Sequence, residues 1–571
     1  MTNENLAEKY RGKEKEWSIM VYLAGGMDVS DEARESLLRM KQIGSTENIH
    51  VIAQFDSGSE GTFTKRYYLT PFKDAMGIET LLRQACAEVP ATLEPDDETA
   101  GIYYCQRMRE ALSENSRKRF DALKTDEMTA LIRYSPDRYK SFVLNCILDE
   151  DIYPGPDGNL GDTNAGELKT LVDFVRWAKV YYPAKKSMVV LWGHGSGLSV
   201  AWDYPSSPFG GSADALTVKE MGKAFDDRMY EKEIQRERKK YELETGKRAG
   251  DYKVGVDIVG FNSCSLGTIE VYRQLMGQVT YGIASEGFTP KTSWPYDRIL
   301  QALVEALAKD PAIGAKAFAD KVVAEYIDYY HKSVKTAEKL QKIERQLNSL
   351  GTRLDMNTGW GQYGSIPDLG SKKTNVDLGF KKTNVDLGFK KTNVDLGSKK
   401  TNVDLGSQIE LARSGIDLSV CKLAESQKVT EAMKALVEAL KEKLNPLDHT
   451  VFSAILGAHA VSQSYFNRDF TDLFDFCRAL HKFCPDSDIK RACQSVMDAI
   501  KTMCPDPNHC GEEVRNSYGV SIFFPWAEWG DDDLIAKYKD LHFLAETDWD
   551  GFLKAYRALV NDFETKKGVF K

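Results

Sequence analysis

The feature that most constrains this chain is a series of short, almost uninterrupted apolar runs, each closed by glycine or a small polar residue. Trp17-Ser-Ile-Met-Val-Tyr-Leu-Ala24 ends at Gly25-Gly26, and His50-Val-Ile-Ala-Gln-Phe-Asp56 and Lys65-Arg-Tyr-Tyr-Leu69 follow. Ser187-Met-Val-Val-Leu-Trp192 ends at Gly193-His194-Gly195-Ser196-Gly197. Val254-Gly-Val-Asp-Ile-Val-Gly-Phe261 leads into Asn262-Ser263-Cys264, and Tyr281-Gly-Ile-Ala284 into Ser285-Glu286-Gly287. Runs that are apolar throughout mark strands covered on both faces. Helical spacing separates them: Ala33, Leu37, Leu38 and Met40 in one stretch, Leu168, Leu171, Val172, Val175 and Trp177 in another. This order predicts an α/β fold, an α/β/α sandwich around a mostly parallel central sheet.

The 571 residues are more than one such sheet needs. Five parts are expected. Residues 1–70 open the core, and 71–155 form a helical insertion. Residues 156–330 carry the His and Cys strands. Residues 331–406 hold a helical segment and a flexible repeat insertion, and 407–571 a C-terminal subdomain packed on the core. In the repeat, Lys-Lys-Thr-Asn-Val-Asp-Leu-Gly starts at Lys372, Lys381, Lys390 and Lys399, a period of nine. Each copy has too few apolar residues to build a core.

The net charge of −9 argues against a nucleic-acid partner, which would call for a basic face. No run of about 18 apolar residues predicts a membrane helix. Met1 to Trp17 is polar, so a cytoplasmic location is expected, or a secreted or periplasmic one if the N-terminus has been trimmed. The ten cysteines are irregularly spaced. Cys477, Cys484, Cys493, Cys504 and Cys510 lie near His481 and His509, but without zinc-site spacing, so plain thiols are expected. Cys86 falls in a helical pattern and His459 in an apolar stretch, so both read as structural.

The chemistry concentrates at two strand ends. Open α/β sheets display functional residues beyond the carboxyl ends of their strands, and here those ends carry His194 and Cys264. An imidazole beside a thiol lowers its pKa and then protonates a leaving amine. Glycine at 193 and 195 allows close backbone approach, and the Gly195 amide is the candidate oxyanion donor.

These residues resemble the clostripain-like cysteine peptidases of the caspase clan. Leu191-Trp192-Gly193-His194-Gly195-Ser196-Gly197 is similar to the family's histidine motif, and Asp257-Ile-Val-Gly-Phe-Asn-Ser-Cys264-Ser-Leu-Gly267 to its cysteine motif. Trp17 to Ala24, Asp173 to Ala178, Trp294-Pro295-Tyr296, Gly519 to Pro525 and Thr547 to Phe552 also match in order. The resemblance implies a caspase-like fold and a thiol endopeptidase with a Cys264–His194 dyad. It further implies cleavage after Arg or Lys, self-processing between the two motifs, and, in some members, calcium. Protein or peptide substrates and a monomer, or a self-cleaved two-chain form, go with it.

Two departures concern the substrate pocket. Asn262 stands where the family often has Asp, and Lys291-Thr292-Ser293 replaces a Gly-Asp-Gly stretch. A buried guanidinium needs a counter-charge, which makes Asp257 and Glu286 candidate substitute acids, with Asn262 and Thr292 as further pocket candidates. No Lys or Arg lies between Gly195 and Val218, whereas Arg228 to Lys247 is a dense charge run, a cleavable linker or a surface helix. The alternative function is a catalytically inactive caspase-like binding or regulatory protein. An unrelated hydrolase or transferase on a doubly wound sheet would need a phosphate-binding glycine motif, and none follows Gly25-Gly26.

Overall fold

The computed structural model describes residues 6–26, 29–57, 63–73, 75–88, 95–203 and 214–357. It further describes the short strands 373–376, 383–386, 392–395 and 400–403, and residues 415–445, 448–465, 469–526 and 538–567.

A seven-stranded sheet organises the molecule. Its strands are β1 (Lys15–Ala24), β2 (Ile49–Asp56), β3 (Lys65–Tyr68), β4 (Ala184–Trp192), β5 (Val256–Asn262), β6 (Val279–Ala284) and β7 (Ser419–Lys422), in the order β7-β6-β5-β4-β1-β2-β3. The five inner strands are parallel and the two edges antiparallel. This is the mostly parallel α/β/α sandwich expected from the apolar runs.

Side-chain alternation divides those runs between two cores. Trp17, Ile19, Val21 and Leu23 of β1 join one apolar cluster with Met188, Val190, Trp192 and Ile258. Met20, Tyr22 and Ala24 join the other with Val189, Leu191, Val259 and Phe261. Both faces of a strand are thus dry, which is why its sequence shows no polar alternation.

Helices Ser30–Ile43, Tyr296–Lys309 and Ala315–Asn357 contribute to the first cluster. The five helices between Ala75 and Leu148 extend it through Ile78, Leu82, Met108, Ile132 and Val143. The buried pair Lys41–Asp151 pins their far end, with Asp151 also accepting from the Thr70 amide at 2.9 Å.

Helix Leu168–Tyr181, helix Ile269–Leu275 and the C-terminal helices share the second cluster. The C-terminal region also completes the main sheet, because β7 pairs with β6 from Ser419–Ala284 to Lys422–Tyr281. The run ending at Phe524 supplies Ser521–Phe523 to a separate three-stranded sheet.

The repeat region, read from sequence as flexible, holds four short strands in two antiparallel hairpins, Lys373–Val376 with Thr383–Asp386 and Thr392–Asp395 with Lys400–Val403. These hairpins pair with no strand of the main sheet. Among the described residues no helix is long and apolar enough to cross a membrane.

Candidate active site

Strands β4 and β5 end in register. Trp192 is opposite Asn262 in a parallel pair, so His194 and Cys264 each lie two residues beyond matched positions. Backbone bonds lock the two ends together: the Gly193 amide donates to Asn262 O (3.3 Å), and the Ser263 hydroxyl donates to Gly193 O (2.5 Å). His194 and Cys264 line one pocket, together with Trp192, Asn262, Thr289, Lys291 and Ser293.

Cys264 differs from most of its kind. All ten cysteines are free, but eight are buried and only Cys86 and Cys264 are partly exposed. Cys86 belongs to helix Ala75–Glu88 and points its sulfur at Pro136 O, 3.4 Å away. The Cys264 sulfur accepts from the Thr289 amide (3.4 Å) and lies 3.8 Å from Thr289 O. The Thr289 hydroxyl donates to Ser263 O at 3.0 Å. Ser265, the next residue, has φ +60°, a costly conformation for a non-glycine residue and one that concentrates at functional turns.

Gly195 packs directly behind the cysteine. A Cβ there would lie 2.6 Å from Cys264 O and 2.7 Å from Leu266 Cδ2. Gly193, at φ +140°, would place a Cβ 2.9 Å from Ala24 O. Glycine at these positions meets a packing demand as well as a chemical one.

Asn262 is buried in the pocket wall. The indole N–H of Trp192 and the amide of Trp294 are obligatory donors. The side-chain oxygen of Asn262 therefore faces them, accepting from Trp192 Nε1 (3.1 Å), Trp294 N (3.2 Å), Ser293 Oγ (2.5 Å) and Tyr296 OH (3.0 Å). Ser293 adopts φ +68°, and its carbonyl accepts from Tyr330 OH at 2.6 Å.

The other pocket candidates lie elsewhere. Asp257 is near the amino end of β5, where it accepts from the Ser187 amide (2.8 Å) and pairs with Lys253 (2.5 Å). The strand runs on for five residues beyond it, to Asn262, before the Cys264 turn, roughly 16 Å. A residue at the start of a parallel strand cannot serve a pocket at its end. Glu286 is fully buried among Asp417 and Asp472, and its Oε2 accepts from the Gly519 amide at 2.6 Å. Burial and these two acids raise its pKa well above the usual carboxylate value, and it lies outside the pocket lining. Thr292 is exposed and bonds Tyr330 OH at 2.7 Å, outside the pocket lining. Thr289, Lys291 and Ser293 take the places that sequence reasoning gave to these residues. Lys291 and Ser293 flank Thr292 in the sequence, which does not tell which side of the turn faces inward.

His459 stacks between Phe524 and Trp526 at ring separations of 3.8 and 3.9 Å, and burial lowers its pKa to about 3. It is a core side chain. No group of three or more His, Cys, Asp or Glu among the described residues is arranged to hold a metal ion. Among the described residues the acids Glu286, Asp417 and Asp472 lie together, but backbone amides take both oxygens of Asp417, both of Asp472 and one of Glu286, so the cluster does not fit calcium.

A family model described as the clostripain family matches residues 157–556. The match includes both strand ends of the pocket and leaves the opening strand outside. No curated protein matches the chain. Among solved structures, a secreted C11 cysteine protease from Bacteroides thetaiotaomicron in complex with an irreversible peptide inhibitor is 13% identical, with TM-score 0.45, covering 94% of this chain and 99% of that one. An inactive zymogen C11 protease from Parabacteroides distasonis is 11% identical, with TM-score 0.46 and coverages of 94% and 99%. A B. fragilis cysteine protease is 13% identical, with TM-score 0.30 and coverages of 58% and 94%. At such identities the likeness says nothing about individual residues. The family match, spanning more than two thirds of the residues, is decisive: the chain belongs to the clostripain family of cysteine peptidases.

Proposed function

We propose that the chain is an endopeptidase in which Cys264 is the nucleophile and His194 its acid–base partner. The observation that carries this reading is the level register of β4 and β5, which brings both side chains to one pocket. The Cys264 thiolate attacks the scissile carbonyl and forms a C–S bond. His194 protonates the departing amine as the C–N bond breaks, leaving a thioester. Water, deprotonated by His194, then releases the acid and restores the thiol. The amides of Gly195 and Cys264 are assigned to the oxyanion, a reading supported by the packing of Gly195 on the Cys264 backbone.

For the residue preceding the cut, the lining supports a neutral or acidic side chain rather than Arg or Lys. Lys291 lines the pocket, and among the described lining residues there is no carboxylate. A buried cation without a counter-charge is costly.

Self-cleavage is not assigned to the charge run after Arg228. Most of it forms helix Glu231–Thr245, with Ile234 and Tyr241 buried, Tyr241 against Tyr181 and Lys240 paired with Asp157 at 2.6 Å.

Cys264→Ala and His194→Ala should each lower peptide turnover by about 10³-fold or more, and Cys264→Ala should abolish labelling by a thiol-directed peptide inhibitor. Retained labelling at another cysteine would defeat the assignment. A peptide library varied at the residue before the cut, read with and without a calcium chelator, tests the pocket and any need for the ion.

A further inference from the structure

The loop that follows β6 is held from both sides. The Ser265 amide donates to Gly287 O (2.9 Å) and the Gly267 amide to Ser285 O (2.8 Å), which fastens the loop to the turn just after Cys264. On the opposite side is Asp417, fully buried, the last residue of the short strand Ile416–Asp417. Its Oδ2 accepts from the Glu286 amide at 2.6 Å, and its Oδ1 accepts from the Gly287 amide at 3.0 Å and the Ser285 hydroxyl at 2.8 Å. Two residues beyond Gly287, the Thr289 amide reaches the Cys264 sulfur.

We propose that Asp417 is a positioning residue whose carboxylate clamps the Ser285–Gly287 loop, so that the Thr289 amide is held against Cys264 Sγ and favours the thiolate. The proposal rests on Cys264 being the nucleophile. It identifies a contribution to the site from a residue remote in sequence that touches neither substrate nor sulfur.

The chemistry requires a carboxylate. Three donors converge, and two of them are backbone amides that cannot reverse their role. Both oxygens must accept, whereas a carboxamide offers one acceptor and would turn its NH₂ toward a backbone N–H. Burial pushes the Asp417 pKa up to about 6, and the bonds from Glu286, Ser285 and Gly287 oppose that rise by favouring the carboxylate. The titratable groups around it are the carboxyl of Glu286, the phenols of Tyr465 and Tyr326 and, opposite it in the short strand pair, His509.

The test is Asp417→Asn in the full-length protein. Alkylation of Cys264 by iodoacetamide is followed across pH by peptide mass analysis, in parallel with peptide kcat/KM. The expected result is an apparent Cys264 pKa raised by about half a unit or more, with kcat/KM down by roughly tenfold. A merely structural role would not move the thiol titration of a folded variant. A folded Asp417→Asn with wild-type thiol titration and kcat/KM within about twofold overturns the proposal. If that variant does not fold, Ser285→Ala removes one bond of the clamp without stranding a charge. It should move both readouts in the same direction, and no movement overturns the proposal equally. Turnover by Cys264→Ala would remove the nucleophile assignment and this proposal with it, whereas a silent Asp417→Asn leaves the nucleophile in place.

Discussion

A methyl group at position 195 has no room, because the nearest atoms are the backbone oxygen of Cys264 and the side chain of Leu266. Gly195→Ala must therefore displace the Cys264 turn. We expect a loss of about 1–3 kcal/mol of stability with a fall in kcat/KM well beyond what that loss explains, measured by denaturant melts and peptide turnover on the same samples. Asn262 offers the reverse experiment. Four donors surround its oxygen, and a carboxylate can accept from the same groups. Asn262→Asp should fold and add a negative charge to the wall. The ratio of kcat/KM for Arg over Gln before the cut should rise by about tenfold or more. An unchanged ratio would mean that the wall at 262 does not contact that side chain.

At the scale of elements, position along a strand decides what a residue can do. Asp257 and Asn262 share β5, yet one is at the foot of the sheet and the other at its rim. Helix Ile269–Leu275, which follows the Cys264 turn, carries a second buried acid. Glu270 Oε1 accepts from the Phe523 amide (3.0 Å) and Tyr538 OH (2.9 Å), while Oε2 has no partner among the described residues. Burial raises its pKa from 4.5 to about 7. A folded-state pKa above the unfolded one means that the folded protein holds this proton more tightly. Its contribution to stability is fully present below about pH 4.5 and is lost as pH rises through about 7. Glu270→Gln should flatten that part of the stability–pH curve and raise stability at pH 8 by about 1–3 kcal/mol. Denaturant melts from pH 4.5 to 8 provide the check. Helix Glu231–Thr245 makes a different prediction. A protease takes its substrate extended, so mass analysis of the concentrated, folded enzyme should find no cut inside this helix, despite its many basic residues.

Across the whole molecule, the catalytic half and the C-terminal region form one structure. The latter supplies the edge strand β7 and part of the second core, and in the proposal above it contributes the Asp417 clamp. The repeat hairpins take no part in the main sheet. Removing residues 372–406 should leave kcat/KM within about twofold and melting within a few degrees, as read by turnover and thermal melts. A collapse of either would mean that the repeats brace the enzyme.

The apolar runs and their glycine endings determined the α/β/α layers, the strand ends that carry His194 and Cys264, and the family. Each of these is a local pattern, since burial on both faces, helical spacing and a short motif can all be read over ten or fifteen residues. The placement of Asp257 and Glu286 away from the pocket, the inward side of the Thr289–Ser293 turn and the contact of Asp417 with a distant loop were decided only by tertiary structure. The physical reason is that a hydrogen-bond partner or a counter-charge is fixed by distance in space. Residues as far apart as 286 and 417 acquire that distance only after the sheet edge has closed between them.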